Sequence, residues 1–162
     1  MSIAAATTAS ETVQIKHHYK ASPAQVFAAW SDPEALNQWF GPQSHRCKVE
    51  KLEFKAGGAY QIRLTPTGES EAGCHGDSTK DSVCVGKFVE INKPNRIVMT
   101  FTWIENVEDM GETLLTIDFK PTRDGTELVL THEKLPSEEL REAHQGGWQS
   151  TLESLADYIA RS

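Results

Sequence analysis

The stretch HEKLPSEELREAHQGGWQSTLESLADYI, residues 132–159, decides the fold because most of it predicts one long amphipathic helix near the C-terminus. Ser137 is a good N-cap, and Glu138 and Glu139 follow it at the positive end of the helix dipole. Such a helix is about 33 Å long, enough to lie across a whole sheet. Its inward stripe recurs at intervals of three and four and consists of His144, Trp148, Thr151, Leu152, Leu155 and Ile159.

Two adjacent glycines interrupt this helix, although each costs a helix interior about 1 kcal/mol relative to alanine. Gly147 lies on the sheet-facing side next to Trp148, whereas Gly146 points outward. We therefore predict that the helix approaches the sheet closely at Gly147. A bend or break at Gly146 is the alternative.

The rest of the chain predicts a strand, two short helices and then six strands. Residues 13–19 alternate at period two, and SPAQVFAAWSDPEALNQWFGP, residues 22–42, contains two cap-plus-proline signals, Ser22-Pro23 and Asp32-Pro33. Between residues 46 and 133, short alternating runs are separated by tight turns and should pair antiparallel as a meander. The fold class is therefore α+β, with a curved antiparallel sheet of about seven strands under the C-terminal helix.

Length and composition indicate a single domain at residues 12–162, preceded by a disordered lead-in at residues 1–11. A net charge of −7 without a Lys/Arg run argues against nucleic-acid binding. No apolar run approaches the ~20 residues that membrane insertion requires. Three cysteines without regular spacing, and no signal-peptide pattern, favour a reducing, cytoplasmic location.

Several short motifs resemble the activator-of-heat-shock-ATPase homologue (AHSA-type) family of the START-like, SRPBCC superfamily. They are FAAWSDPEALNQWFGP at 27–42, GGAYQIRL at 57–64, GKFVEINKPNRIVMTFTW at 86–103, and the C-terminal helix itself. The resemblance covers residues 12–160 and implies the helix-grip fold. It also implies a hydrophobic small molecule held between the C-terminal helix and the sheet. The family name implies an alternative, a stress-related interaction module that contacts the ninety-kilodalton heat-shock chaperone.

One helix cannot fill the concave face of a curved sheet, so we expect a hydrophobic cavity there. Strand alternation and the apolar stripe of the helix indicate which side chains line this cavity and contact a hydrophobic or aromatic ligand in it. The predicted ligand-binding residues are Trp39, Tyr60, Ile62, Phe101, Trp103, His132, His144, Trp148 and Leu152.

A small-molecule enzyme of the cyclase or hydrolase kind is a further alternative, because two imidazoles facing a hollow can do acid–base work near neutral pH. The sequence places no carboxylate partner beside His132 or His144, so no catalytic residue is assigned. No cofactor is predicted. Cys74-His75 and the other Cys and His residues lack the paired spacing of zinc sites, so no metal is predicted either. The sequence leaves open a monomer or a homodimer.

Overall fold

A computed structural model describes residues 12–41, 45–67, 80–105 and 111–161. The predicted lead-in, residues 1–11, lies outside the described residues, and the division into domains stays a prediction. The strands are β1 (Val13–Tyr19), β2 (His45–Leu52), β3 (Ala59–Pro66), β4 (Ser82–Asn92), β5 (Arg96–Glu105), β6 (Thr113–Thr122) and β7 (Gly125–Glu133). The helices are α1 (Pro23–Ser31), α2 (Pro33–Trp39) and α3 (Glu138–Arg161).

The seven strands form one antiparallel sheet in the order β1-β7-β6-β5-β4-β3-β2. The six strands β2 to β7 are a meander, and β1 closes the order by pairing with β7. This is the predicted α+β helix-grip architecture, so the predicted fold class is confirmed. The sheet curls into a half-barrel, and its outermost strands are β1 and β2.

The predicted helix starts are confirmed by the side chains that cap them. Ser22 Oγ accepts the backbone N–H of Gln25 at 3.2 Å, and the Gln25 side chain accepts the N–H of Ser22 at 2.9 Å, which completes a capping box. Asp32 Oδ1 accepts the N–H of Glu34 at 3.0 Å at the start of α2. Ser137 Oγ accepts the N–H of Leu140 at 3.1 Å at the start of α3.

The long helix α3 runs for 24 residues without a break at Gly146, so the alternative of a broken helix is wrong. Gly147 is buried and Gly146 is half-buried, as the helical wheel predicts. The helix crosses the concave face obliquely. His144 meets Trp103 of β5, Trp148 meets β7, and the carbonyl of Leu152 accepts the Tyr19 hydroxyl of β1 at 2.9 Å.

The short helices α1 and α2 pack aromatic side chains against the remaining part of the concave face. Phe27 of α1 lies edge to face with Phe119 of β6, at a ring separation of 5.3 Å. Trp30 of α1 packs against Trp39 of α2 at 4.8 Å. The core is therefore filled by two groups of side chains, one from α3 and one from α1 and α2. Within the described part of the chain, no helix has the length and apolar character needed to cross a membrane.

Candidate functional site

Some of the predicted ligand-binding residues meet where α3 crosses β5 and β7. Phe101 and Trp103 lie on β5, His132 lies on β7, and His144 and Trp148 lie four residues apart on α3. The Phe101 ring is the centre, with ring separations of 5.1 to 6.3 Å to the other four. We call these five residues the imidazole cluster.

Each imidazole of the cluster accepts a hydrogen bond from an indole N–H. Trp103 Nε1 donates to His144 Nε2 at 2.9 Å, and Trp148 Nε1 donates to His132 Nδ1 at 3.1 Å. Because an indole nitrogen can only donate, the imidazole nitrogen that it contacts carries no proton. The two indoles therefore select the tautomer of both histidines.

The second nitrogen of each imidazole donates to an acceptor. His144 Nδ1 lies 2.8 Å from the carbonyl of Leu140, and His132 Nε2 lies 2.7 Å from Thr113 Oγ1. The Thr113 hydroxyl in turn donates to the carbonyl of Phe101. The chain of bonds from Trp148 through His132 and Thr113 thus closes with every donor matched to an acceptor, which favours the neutral ring of His132.

Burial reinforces the neutral state of His132, whose side chain is fully buried. Burial, and secondarily the neighbouring His144, lowers the pKa of His132 well below its ordinary value of 6.5. A general acid or base needs a nitrogen that reaches the substrate, and both nitrogens of His132 are already bonded within the protein. The cluster therefore supports attachment of α3 to the sheet better than proton transfer.

Two other predicted residues, Tyr60 and Ile62, line a separate cavity of about 10 Å³, which we call the apolar cavity. It lies between α1, α2 and strands β2 to β5, and no residue of α3 lines it. The described apolar cavity is thus beside the short helices, whereas the sequence placed the ligand under the C-terminal helix. Its lining is Trp30, Leu36, Phe40, Leu52, Tyr60, Ile62, Phe88, Ile97 and Met99.

The apolar cavity is almost free of polar groups. Tyr60 directs its hydroxyl out of the apolar lining and donates it to the carbonyl of Thr100 at 2.6 Å. Burial raises the pKa of the Tyr60 phenol well above its ordinary value, so the ring stays neutral. The Trp30 indole is 4% exposed, and its Nε1 has no hydrogen-bond partner among the described residues.

The last two predicted residues, Trp39 and Leu152, belong neither to the imidazole cluster nor to the apolar cavity. Trp39 is buried in α2, where its Nε1 donates to the carbonyl of Ala29 at 3.0 Å. Leu152 is fully buried in α3 above Tyr19. The structure therefore divides the predicted set among the imidazole cluster, the apolar cavity, the core position Leu152, and Trp39, which lines a more polar groove. The assignment of the whole set to one ligand stays a prediction.

A more polar groove of about 200 Å³ lies between α2, the start of β2 and the end of α3. It includes Cys47, whose half-buried thiol has its pKa raised to about 12 by burial and is therefore a poor nucleophile. Over the described ranges, no three His, Cys, Asp or Glu side chains are grouped to hold a metal ion. Cys74 and His75 lie outside those ranges.

Sequence reasoning missed most of the apolar cavity's lining. Met99 shares the face of Phe101 and Trp103 on β5, so the same alternation was sufficient to find it. Phe88 is harder to find because the register of β4 shifts between Phe88 and Glu90. Trp30 carried no signal that separates a cavity wall from ordinary core.

Comparisons with solved structures give the same fold over nearly the whole chain. A crystal structure of a protein from Chromobacterium violaceum has a TM-score of 0.79 at 26% identity, covering 92% of this chain and 96% of that one. An AHSA1 protein from Silicibacter pomeroyi has a TM-score of 0.76 at 23% identity, covering 93% and 98%. An AHSA1-like protein from Aeromonas hydrophila, solved in solution, has a TM-score of 0.69 at 16% identity, covering 93% and 92%.

None of the curated proteins compared with the chain matches it. A family model does match, over residues 20–160, and its description is Activator of Hsp90 ATPase homolog 1-like protein. That match takes in every helix and strand except β1 and the last residue of α3, and both the imidazole cluster and the apolar cavity fall inside it. The chain therefore belongs to the Activator of Hsp90 ATPase homolog 1-like protein family, AHSA1.

Proposed function

We propose that the chain binds a small hydrophobic or aromatic-containing molecule at the apolar cavity on the concave face of the sheet. The observation that carries this proposal is the lining itself. Two helices, four strands and Phe40 converge on one small space whose walls are aliphatic and aromatic side chains. Small-molecule sites are typically concave and apolar, with few polar groups on their walls.

The volume of the apolar cavity sets a condition on binding. At about 10 Å³ it has room for roughly one water molecule, so a ligand must displace a wall to bind. The wall that yields most readily is the one formed by Leu52, which is half-buried and lies at the end of the outermost strand β2. The backbone N–H of Val49 in β2 donates to Asn37 Oδ1 of α2 at 2.7 Å, so this hydrogen bond helps to hold β2 in place. Outermost strands open at lower free-energy cost than central ones.

A matched pair of variants tests ligand binding. In wild-type protein, amide chemical-shift changes should appear at Tyr60, Ile62 and Met99 with some members of a panel of small aromatic and aliphatic compounds. Ile62→Phe adds a ring at the cavity wall and should abolish these changes. Ile104→Phe adds the same ring at a side chain that is 54% exposed, and should leave them intact. The proposal is wrong if no compound perturbs the lining, or if Ile62→Phe responds like wild type.

A second candidate function is an interaction module that stimulates a chaperone ATPase. The small volume of the apolar cavity, about 10 Å³, favours it, because a protein that acts through its surface needs no cavity. Among the described residues, the exposed large hydrophobic side chains are Val89 and Ile104, both on the β4–β5 hairpin. Exposed apolar side chains are where a partner gains most from contact.

The test of this second candidate is a coupled ATPase assay with a ninety-kilodalton heat-shock chaperone. Stimulation should fall in the double variant Val89→Ser, Ile104→Ser and persist in Lys120→Ser, which changes an exposed residue on a different hairpin. An unchanged ATPase rate over a wide concentration range of wild-type protein would eliminate this function.

A further inference from the structure

Trp30, one of the residues that line the apolar cavity, carries an unmatched polar group. The residue is 4% exposed, and its Nε1 is the only buried side-chain nitrogen or oxygen without a hydrogen-bond partner in the part of the chain that the structure describes. Buried polar groups in native proteins almost always have partners, so an unmatched one in a residue that lines a cavity calls for an explanation. The neighbouring Trp39 supplies no acceptor nitrogen, because an indole nitrogen only donates, and that of Trp39 donates to the carbonyl of Ala29.

The other residues of the lining define what accompanies this N–H. None of them carries a charge, and the Tyr60 hydroxyl has already used its single proton on Thr100. The lining therefore offers one free donor and no counter-ion. A water molecule would meet Trp30 Nε1 and at most the Tyr60 oxygen, fewer than the roughly three partners that a buried water usually has.

We infer that the ligand of the apolar cavity is a neutral, largely apolar molecule that presents one hydrogen-bond acceptor, a carbonyl or ether oxygen, to Trp30 Nε1. The inference rests on the proposed ligand-binding function and adds the chemical class. A carboxylate is disfavoured because its charge would be buried without a cation. A pure hydrocarbon is disfavoured because it would leave the indole N–H unmatched.

Two isosteric probes isolate the acceptor. Acetophenone and α-methylstyrene have nearly the same shape, but only acetophenone carries a carbonyl oxygen. Wild-type protein should bind acetophenone about 3- to 10-fold more tightly, the range expected for one hydrogen bond. Benzoate, the anionic analogue, should bind more weakly than acetophenone. Affinities are measured by titration with two-dimensional ¹⁵N–¹H spectra.

Two variants attribute the preference to Trp30. Trp30→Phe keeps an aromatic wall but removes the N–H, and should equalise the affinities for acetophenone and α-methylstyrene. Trp39→Phe also removes an indole N–H, but one already bonded to Ala29, and should keep the preference. The chain has four tryptophans, so the indole signal missing from the Trp30→Phe spectrum is that of Trp30. In wild type that signal should move with acetophenone and stay still with α-methylstyrene.

The outcomes separate this inference from the proposed function. If both probes bind equally and the Trp30 indole signal stays still, the inference is wrong and ligand binding survives. The inference is also wrong, and ligand binding survives, if benzoate binds best. It is wrong as well if the Trp39 ring shifts the Trp30 indole proton upfield in the free protein and acetophenone does not change that shift. If neither probe binds at the lining, both fail. Should Trp30→Phe not fold, the preference of the wild type for acetophenone over α-methylstyrene, compared with that of Trp39→Phe, decides the matter.

Discussion

Acidification should destabilise this protein at a pH where most carboxylates are still charged, and His132 should be the main cause. The side chain is fully buried, and its pKa lies well below 6.5 because burial disfavours the charged ring and His144 lies beside it. The unfolded chain therefore binds more protons than the folded one as the pH falls through the ordinary histidine value. Stability is complete above that value and is lost below it.

The size of the effect follows from linkage. A group that is protonated only in the unfolded chain changes the free energy of unfolding by up to about 1.4 kcal/mol per pH unit. Between about pH 7.5 and pH 5, His132 alone should remove about 2 kcal/mol. Protonation also places a hydrogen on Nδ1, where it opposes the Trp148 N–H that now donates to that atom at 3.1 Å. Protonation of His132 therefore weakens the hydrogen bond that attaches α3 to β7.

The assay is urea denaturation followed by tryptophan fluorescence at several pH values between about 5 and 7.5. His132→Gln should be less stable than wild type at neutral pH but should show a shallower dependence on pH. His17→Gln, which changes a half-buried histidine of β1 outside the cluster, should keep the steep dependence because His132 remains. Burial also lowers the pKa of His45, but His45 contributes equally to the pH dependence of stability in all three proteins. Equal slopes for wild type and His132→Gln would refute the reasoning.

Two further predictions concern glycines where the backbone approaches other groups closely. Gly147→Leu should cost about 1–3 kcal/mol because Gly147 is on the buried side of α3, whereas Gly146→Leu should be near neutral; equal melting temperatures would contradict this. Gly86→Ala should cost about 2–4 kcal/mol, because its Cβ would lie 2.0 Å from the Thr100 carbonyl oxygen and 2.8 Å from the Tyr60 ring. Gly57→Ala meets nothing within 4 Å and should cost only about 1 kcal/mol for its φ of +84°, as chemical denaturation of the two variants will measure.

The fold was predictable because its signals are local. Each helix start depends on a cap and a first turn, and Ser22, Asp32 and Ser137 are all found bonded as the sequence indicates. Most strands of the meander follow one another after short connections, so each finds its neighbour without long-range information; the exception is the step from β3 to β4, which residues 67–81 separate. Period-two alternation also placed His132 inward, and helical spacing placed His144 inward.

The site was predictable only in part, because it depends on which elements cross. Spacing indicated that His132, His144 and Trp148 face the interior, but their bonding required α3 to pass over β7 and β5 at a particular point. The same crossing gave both imidazoles hydrogen-bond partners within the protein, which favours attachment of α3 to the sheet over proton transfer. The apolar cavity formed instead where α1 and α2 meet β2 to β5, a junction of segments far apart in sequence.

Trp30 and Trp39 show where the sequence stops being informative. Both are buried tryptophans on short helices, and both lie in the same aromatic group. The sequence by itself determined the order of elements, the helix caps and the inward-facing side chains, since these follow from local geometry and periodicity. Only the tertiary structure decided that one indole N–H meets a carbonyl and the other meets none, because a hydrogen bond depends on atoms that packing brings together.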